Sequence, residues 1–360
     1  MVTPAFWRGK RVLLTGHTGF KGSWLALWLR AMGAEVVGYA LPPAGENSLY
    51  ELAGVERALT SIEGDVRDQE RLVDAVAQHR PEIVLHLAAQ ALVRYGYRQP
   101  VETFATNVLG TVHLLEAVRQ TGGVRAVLVV TSDKCYENRE TARPYTEDDP
   151  MGGADPYSGS KGAAELVTSA YLRSYFPPER AADHGVALAS ARAGNVIGGG
   201  DFATDRLVVD VAHAYLRGEV PILRNPDAVR PWQFVLEPLA GYLALVERAH
   251  ASPERFAGGW NFGPDERDCR PVAWVVDRLA RGWGVSEGWR LDEGPRVHEA
   301  QLLLLDAGKA RRELGWRPRL DLEQALDWTV AWYQAYGRGD DLGALTRDQI
   351  ERFVGMPAPS

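Results

Sequence analysis

The chain has 360 residues, of which 46% are hydrophobic and 24% charged, a composition typical of a globular protein with room for about two domains. Its 40 basic and 47 acidic residues give a formal net charge of -7, which argues against a general binder of nucleic acid or of anionic membranes. Among the basic residues are five lysines, and because the pKa of lysine can be tuned where that of arginine cannot, a lysine inside a motif is of interest; they are Lys10, Lys21, Lys134, Lys161 and Lys309.

The first half of the chain alternates short apolar segments with segments of helical periodicity. The apolar segments predict strands at 12–15, 35–40, 59–63, 82–87, 124–131 and 186–191. The helical periodicity predicts helices over 23–32, 68–79, 101–121 and 158–175. Nearly all-apolar strands separated by helices indicate an α/β fold with a doubly wound parallel sheet that is covered on both faces.

A glycine-rich turn separates the first strand from the first helix. It has glycines at 16, 19 and 22, which allow a tight turn and a close backbone approach, while the helix N-terminus offers unpaired N–H groups and a partial positive charge. The position predicts a dinucleotide pyrophosphate site in a Rossmann sheet, with a tight turn that holds no ligand as the alternative.

The end of the second strand leaves the choice between NAD and NADP open. Residues 37–41 contain no acid to bind ribose hydroxyls and no cation to bind a 2′-phosphate. Asp65 and Val66 follow the third strand and are placed to meet the adenine, although an Asp at such a position is at least as often a helix cap.

Tyr157 and Lys161 stand four residues apart at a helix start, hence on one face of one turn. A nearby ammonium favours the phenolate and would lower the tyrosine pKa from about 10 toward neutrality, which suits a base acting on an alcohol. A packed tyrosine with a solvated lysine is the plainer interpretation of the pair alone. Ser132 at the end of the fifth strand favours the catalytic one, because ligands bind at the carboxyl ends of such strands.

The pattern becomes mixed after Asn195, with a Gly-Gly-Gly stretch at 198–200 and many Trp, Pro and Arg residues. We therefore expect a dinucleotide-binding Rossmann domain over 1–192, with a returning segment near 232–264. A smaller mixed C-terminal substrate lobe would comprise 193–231 and 265–360.

Together these motifs resemble the extended short-chain dehydrogenase/reductases, and among them the nucleotide-sugar 4,6-dehydratases, over nearly the whole chain. The general markers are Gly16, Gly19, Gly22, Leu87-Ala88-Ala89, Asn107, Ser132, Tyr157 and Lys161, and the finer ones lie at 16–24, 131–136, 192–201, 230–233 and 298–300. The resemblance implies NAD as the cofactor. It implies that NAD is bound by Gly16, Thr18, Gly19, Phe20, Gly22, Asp65, Val66, Leu87, Ala88, Ala89, Asn107, Tyr157 and Lys161.

The reaction that the resemblance implies is an internal oxidation and reduction around a dehydration. Tyr157, aided by Lys161 and Ser132, would take the proton of the carbon-4 hydroxyl while the hydride passes to NAD, and the hydride would return to carbon 6 after water leaves. Asp133 is the candidate acid for the departing hydroxyl. Lys134 stands where the dTDP-glucose dehydratases have a Glu base, so it is either a base whose pKa burial has lowered or an ammonium that stabilises the enolate.

The resemblance also implies the substrate and the assembly. Five residues match family positions that face a nucleotide diphosphate: Asn195, Arg206, Arg230, Gln233 and His298. The preference for CDP-glucose over dTDP- or GDP-sugars rests on the resemblance alone. A homodimer or homotetramer is expected through the helices predicted at 101–121 and 158–175.

Other compartments, cofactors and functions have less support. The two cysteines, Cys135 and Cys269, suit neither a disulfide framework nor a zinc site, so we expect a cytoplasmic protein without a metal. No stretch approaches the roughly 20 apolar residues of a membrane span. The alternatives are a nucleotide-sugar 4-epimerase, which would not require Asp133 and Lys134, and a catalytically silent dinucleotide sensor, which would not need the Ser-Tyr-Lys set.

Overall fold

The computed structural model describes residues 2–43, 45, 47–292 and 302–357. The strands in these residues are β1 (Arg11–Thr15), β2 (Glu35–Ala40), β3 (Thr60–Glu63), β4 (Ile83–His86), β5 (Ala126–Val130), β6 (Ala187–Ala193), β7 (Asn195–Ile197), β8 (Ile222–Leu223), β9 (Val229–Phe234), β10 (Gly258–Phe262), β11 (Cys269–Pro271) and β12 (Arg290–Leu291).

The α-helices in the same residues are α1 (Pro4–Trp7), α2 (Phe20–Ala31), α3 (Leu49–Leu52), α4 (Gln69–His79), α5 (Val93–Arg98), α6 (Pro100–Phe104), α7 (Gly110–Thr121), α8 (Pro156–Ser174), α9 (Ala181–His184), α10 (Leu207–Leu216), α11 (Leu236–Ala251), α12 (Pro253–Phe256), α13 (Val272–Trp283), α14 (Leu322–Arg338) and α15 (Leu342–Gly355). None of the helices in this part of the chain is long and apolar enough to cross a membrane.

The central sheet has seven parallel strands in the order β10-β6-β5-β4-β1-β2-β3. The predicted doubly wound parallel sheet is therefore confirmed. The order reverses between β1 and β4, and in such sheets ligands bind outside the carboxyl ends of the strands at that point.

Alternate side chains of each strand enter two separate cores, one on each face of the sheet. In β1, Val12 and Leu14 pack into the core that α2 and α11 cover, whereas Leu13 packs into the core that α4 and α7 cover. Both faces need apolar side chains, which is why the strands are nearly continuous apolar runs.

The helix predicted over 101–121 is confirmed as a continuous helical stretch, but a π-helical turn interrupts its α-helical hydrogen bonding. The structure has α6, then a π-helical turn (Ala105–Leu109), then α7. The turn carries Asn107, whose side chain donates to the Gln90 carbonyl at 3.0 Å and to Ser160 Oγ at 2.8 Å. The extra residue of the π turn thus aims a polar side chain inward, as such bulges do at functional sites.

The second lobe is built from smaller units. A three-stranded sheet has the order β11-β9-β7, and β8 pairs with β12. β10, although late in the chain, pairs in parallel with β6 and so extends the central sheet. The lobe stands beside the carboxyl ends of β5 and β6, where it faces the site described next.

Candidate active site

The glycine turn at 16–22 connects β1 to α2 and packs against the chain that leaves β4. Gly16 has a φ of 75°, and a Cβ there would lie 2.7 Å from the backbone nitrogen of Ala88. A Cβ at Gly22 would overlap the Gly16 carbonyl oxygen. Backbone packing alone therefore requires these two glycines. Gly19 differs, because the nearest atom to a Cβ there is the Gly16 oxygen at 3.4 Å.

The N-terminus of α2 presents free N–H groups beside this turn. Gly19 is its N-cap residue and supplies no side-chain cap, and Ser23 N is bonded to the Gly19 oxygen at 2.9 Å. The N–H groups of Phe20, Lys21 and Gly22 thus have no acceptor within the helix. An open backbone turn at the positive end of a helix fits a dinucleotide diphosphate.

Thr18 and His17 close the side of the turn that faces β2. Thr18 Oγ1 donates to the Leu41 carbonyl at 3.0 Å, and the His17 ring lies 2.8 Å from Ser61 Oγ. Burial lowers the pKa of His17 to about 4. The ring is therefore neutral at physiological pH and adds no positive charge at the end of β2.

Asp65 and Val66 both contact neighbouring residues of the chain. The Asp65 carboxylate accepts from Arg67 N and from Arg67 Nε, each at 2.8 Å, and the hydrogen bond to Arg67 lowers its pKa. Asp68, and not Asp65, caps α4. Val66 is 4% exposed and packs against Gly110.

The segment that leaves β4 carries Leu87, Ala88 and Ala89 past the glycine turn. Ala88 N donates to Thr15 Oγ1 at 3.2 Å. Asn107 Oδ1 accepts from Gln90 N at 2.9 Å. Since Asn107 also bonds Ser160, it ties this segment to the first turn of α8.

The carboxyl end of β5 and the start of α8 bring Ser132 and Tyr157 together. Ser132 caps a single 3-10 turn (Asp133–Cys135) and accepts from Lys134 N at 3.3 Å. Asp155 caps α8, which places Tyr157 in its first turn. The Ser132 hydroxyl is near enough to the Tyr157 phenol to lower its pKa.

Tyr157 and Lys161 are both buried. The sequence predicts that the Lys161 ammonium lowers the pKa of Tyr157, and the structure shows a different arrangement. Burial raises the pKa of Tyr157, and the cation that opposes this most strongly is Arg206. Lys161 Nζ instead donates to the Val130 carbonyl at 3.3 Å, and burial lowers its pKa to about 8. The predicted Tyr157 pKa near neutrality is therefore wrong for a phenol surrounded by protein groups alone. Desolvation of the phenol raises its pKa by more than the surrounding cations lower it.

Asp133 and Lys134 occupy different environments in one turn. Asp133 is 1% exposed, and its Oδ1 accepts from Ser132 Oγ at 2.9 Å. Its Oδ2 is buried with no hydrogen-bond partner in the residues that the structure describes. Lys134 Nζ lies 4.0 Å from Asp133 Oδ1, and its side chain is 33% exposed. Lys134 therefore lacks the burial that a lysine base would need.

Two of the expected substrate residues stand on paired strands. Asn195 lies opposite Trp232 in the pairing of β7 with β9, and Gln233 follows. Asn195 Oδ1 is buried without a partner among the described residues. Gln233 is buried and donates to the Phe262 carbonyl at 2.8 Å, so part of its amide anchors β9 to β10.

The expected basic residues are dispersed. Arg206 precedes α10, donates to the Ala91 carbonyl at 3.3 Å and acts electrostatically on Tyr157. Arg230 lies in β9 and donates to the Val229 carbonyl at 2.9 Å. His298 lies outside the described residues.

Lys21 is a site residue that the sequence placed only in the phosphate turn. Burial, followed by the charge of Arg206, lowers its pKa to about 8, and it also interacts with Lys161, Asp133 and Asp201. Lys21 thus shares the charged neighbours Arg206 and Asp133 with Tyr157. The scarcity of lysine in the chain was the signal that could have found it. No group of three or more His, Cys, Asp or Glu side chains in the described part could hold a metal ion.

Comparisons with known proteins find similar proteins that cover most of the chain. A family model described as GDP-mannose 4,6 dehydratase matches residues 13–267. CDP-glucose 4,6-dehydratase of Salmonella typhimurium is 50% identical over 354 residues, which cover 98% of this chain and 99% of that protein.

Two solved structures share the fold along most of the chain. DesIV, a dTDP-glucose 4,6-dehydratase from Streptomyces venezuelae with NAD bound, is 25% identical with a TM-score of 0.78, covering 91% of this chain and 98% of that one. UDP-glucose 4-epimerase from Thermus thermophilus in complex with NAD is 27% identical with a TM-score of 0.76, covering 90% and 99%.

Proposed function

The chain belongs to the GDP-mannose 4,6-dehydratase family, and from this premise we propose that it dehydrates CDP-glucose to CDP-4-keto-6-deoxy-glucose with NAD as its cofactor. The observation that carries the proposal is the 50% identity to a CDP-glucose 4,6-dehydratase over 98% of the chain. The enzyme is a hydro-lyase. A 4-epimerase is not favoured, because it has no use for the Asp133–Lys134 turn.

When bound, NAD accepts the hydride from carbon 4 and returns it to carbon 6. The open turn at 16–22 and the N–H groups of the first turn of α2 would hold its diphosphate. Leu87 to Ala89, Asn107, Tyr157 and Lys161 would line its nicotinamide end. Asp65 and Val66 would meet the adenine side with backbone and apolar atoms, since Arg67 occupies the Asp65 carboxylate.

Tyr157 performs the first proton transfer. Its phenolate oxygen takes the proton of the carbon-4 hydroxyl, and the Ser132 hydroxyl orients that oxygen. Burial disfavours the phenolate, so the Lys161 ammonium and the Arg206 guanidinium are needed to stabilise it in the transition state. A buried site keeps these charges effective, because water does not screen them.

The 133–134 turn performs the elimination. The carbon-4 ketone makes the proton on carbon 5 acidic, and the Asp133 carboxylate takes that proton and passes it to the carbon-6 hydroxyl, which leaves as water while a double bond forms between carbons 5 and 6. Carbon 5 takes up a proton from water when the hydride returns to carbon 6. Asp133 Oδ2 is the free buried oxygen that can protonate the departing hydroxyl. Lys134 supplies an ammonium that stabilises the enolate, which is the role its partial exposure favours over that of a base.

The nucleotide end would be bound by the second lobe. Arg206, Arg230 and His298 would contact the diphosphate, and Asn195 and Gln233 would offer amide oxygens to the substrate. Asn195 Oδ1, which is buried and has no partner among the described residues, supports this placement.

We also propose a homodimer or homotetramer in the cytoplasm. Large apolar side chains are exposed on α6, on the π-helical turn that follows it and on the catalytic helix α8, with Val101 83%, Phe104 41%, Leu109 52% and Leu166 61% exposed. Such a patch suits a second copy of the chain. The thiols of Cys135 and Cys269 are both free, which suits a reducing compartment.

The test is incubation of the NAD-loaded protein with CDP-, dTDP-, UDP- and GDP-glucose. The 4-keto product absorbs in alkali, and the proposal predicts this signal with CDP-glucose at a rate at least tenfold above the other three sugars. A 4-epimerase or a silent sensor gives no such absorbance with any of them, and that result would reject the proposal.

A further inference from the structure

A buried ion pair joins α8 to β6 and has no part in the proposed reaction steps. Glu165 stands one turn after Lys161 and shares its face of the helix. Glu165 Oε2 lies 2.8 Å from Arg192 Nη2 on β6, and the two side chains are 4% and 6% exposed. Removing two charges from water is costly, and packed apolar side chains would often stabilise a fold as well. The pair therefore calls for a role other than stability.

Glu165 anchors the residue that precedes Ser132. Thr131 Oγ1 donates to Glu165 Oε1 at 2.5 Å, and Ser190 Oγ donates to Glu165 Oε2 at 2.7 Å. The carboxylate thus joins α8, the end of β5 and β6. The near end of the catalytic turn is fixed at this point.

Arg192 anchors the other end of the same turn. Its Nη1 donates to the Tyr136 hydroxyl at 2.6 Å and to the Glu147 carbonyl at 3.2 Å. The Tyr136 hydroxyl in turn donates to Asn261 Oδ1 at 2.7 Å. Thr131 and Tyr136 bracket the segment that carries Ser132, Asp133 and Lys134, so one ion pair holds both of its ends.

In the described part of the chain, four charged or titratable groups act on Lys161, and Glu165 is the carboxylate among them. Those groups are Glu165 on α8, Cys135 after β5, His86 on β4 and Lys21 on α2. Burial lowers the pKa of His86 to about 3 and raises that of Cys135 well above its usual value, so both are neutral. Against the burial that lowers the pKa of Lys161, Glu165 raises it.

We propose that the Glu165–Arg192 pair is a positioning device for the dehydratase reaction, on whose assignment above this inference rests. The pair clamps both ends of the segment 131–136, and Glu165 supplies the negative charge that keeps Lys161 an ammonium behind Tyr157. Neither residue touches the reacting atoms.

The charge on Lys161 is measured directly by NMR of protein labelled with carbon-13 at lysine Cε. The chain has five lysines, and the signal of Lys161 is assigned with Lys161→Met. We expect Glu165→Gln to lower the Lys161 pKa by about one unit. Ser190→Ala is the matched control, because it removes a hydrogen bond to Glu165 and leaves its charge in place. An unchanged Lys161 titration in Glu165→Gln would overturn the electrostatic role.

Glu165→Gln leaves Arg192 buried without its counter-ion, so Glu165→Gln/Arg192→Gln is measured beside it as a neutral replacement. In both, the alkaline limb of 4-keto product formation should move to lower pH by about one unit. At pH 7 kcat should fall roughly tenfold or more through the loosened turn, with KM for CDP-glucose within about twofold.

Glu165→Asp keeps the charge and should restore the alkaline limb. A folded charge-removing variant with the wild-type pH profile and kcat would overturn the proposal. A wild-type enzyme that forms no 4-keto sugar would instead reject the proposed function, and the NMR titration, which needs no substrate, would still decide the role of Glu165.

Discussion

The two halves of the catalytic centre are built differently, although they share one edge of the sheet. Tyr157 and Lys161, to which we assign the oxidation, stand on the long helix α8 and are 8% and 6% exposed. Asp133 and Lys134, to which we assign the elimination, stand on a single 3-10 turn, and Lys134 is 33% exposed. Burial governs the protonation of the first pair, whereas the second works through one buried carboxyl and one cation that water reaches. A pair with both side chains buried and a pair with one exposed cation should respond differently to substitution.

Tyr157→Phe gives the largest expected effect, because elimination cannot begin until carbon 4 is oxidised. Loss of the base should reduce 4-keto product formation by about 10³-fold. The affinity for CDP, measured by calorimetry, should stay within about twofold. Product formation within tenfold of the wild type would show that another residue is the base. It would also contradict the division of the site into an oxidation half and an elimination half.

Lys134→Ala separates the two halves. Oxidation should proceed, so that reduced cofactor accumulates in a single turnover and is seen by its absorbance, while dehydration slows by about 10²-fold.

Lys134→Arg is the matched control for the role of that lysine. A stabilising cation tolerates a guanidinium, so dehydration should return to within about tenfold of the wild type. No recovery in Lys134→Arg would identify Lys134 as the base instead, and full activity in Lys134→Ala would exclude it from the reaction.

For Lys161→Met the predicted quantity is thermal stability, and the expected change is the smallest of these predictions. The Lys161 pKa falls from its ordinary 10.5 to about 8 on folding, so the unfolded chain binds more protons between these values and the wild type gains stability as pH rises through them. Removing the buried charge should raise the free energy of unfolding at pH 7 by at most about 3 kcal/mol, and so raise the Tm by a few degrees. The gain should vanish near pH 10.5, and a variant that is less stable than the wild type at pH 7 would contradict the assigned burial cost.

Sequence periodicity was sufficient to predict the central sheet and the helix that carries Tyr157. Strand β2 has the predicted bounds, and Tyr157 lies in the first turn of its helix, because apolar runs and four-residue spacing are local signals. The π turn at Asn107 was missed, since the residues to which Asn107 is bonded there, Gln90 and Ser160, are distant from it in sequence. The raised pKa of Tyr157 and the pairing of Glu165 with Arg192 depend on burial and on strand order, which one sequence does not encode locally.

The most direct test of the central claim is the fate of the hydrogen on carbon 4. CDP-glucose that carries deuterium at carbon 4 is converted by the NAD-loaded protein, and the product is examined by NMR. An internal oxidation and return predicts the deuterium in the carbon-6 methyl group of a 4-keto product. Deuterium that remains on carbon 4, or that is lost to solvent, would contradict the account.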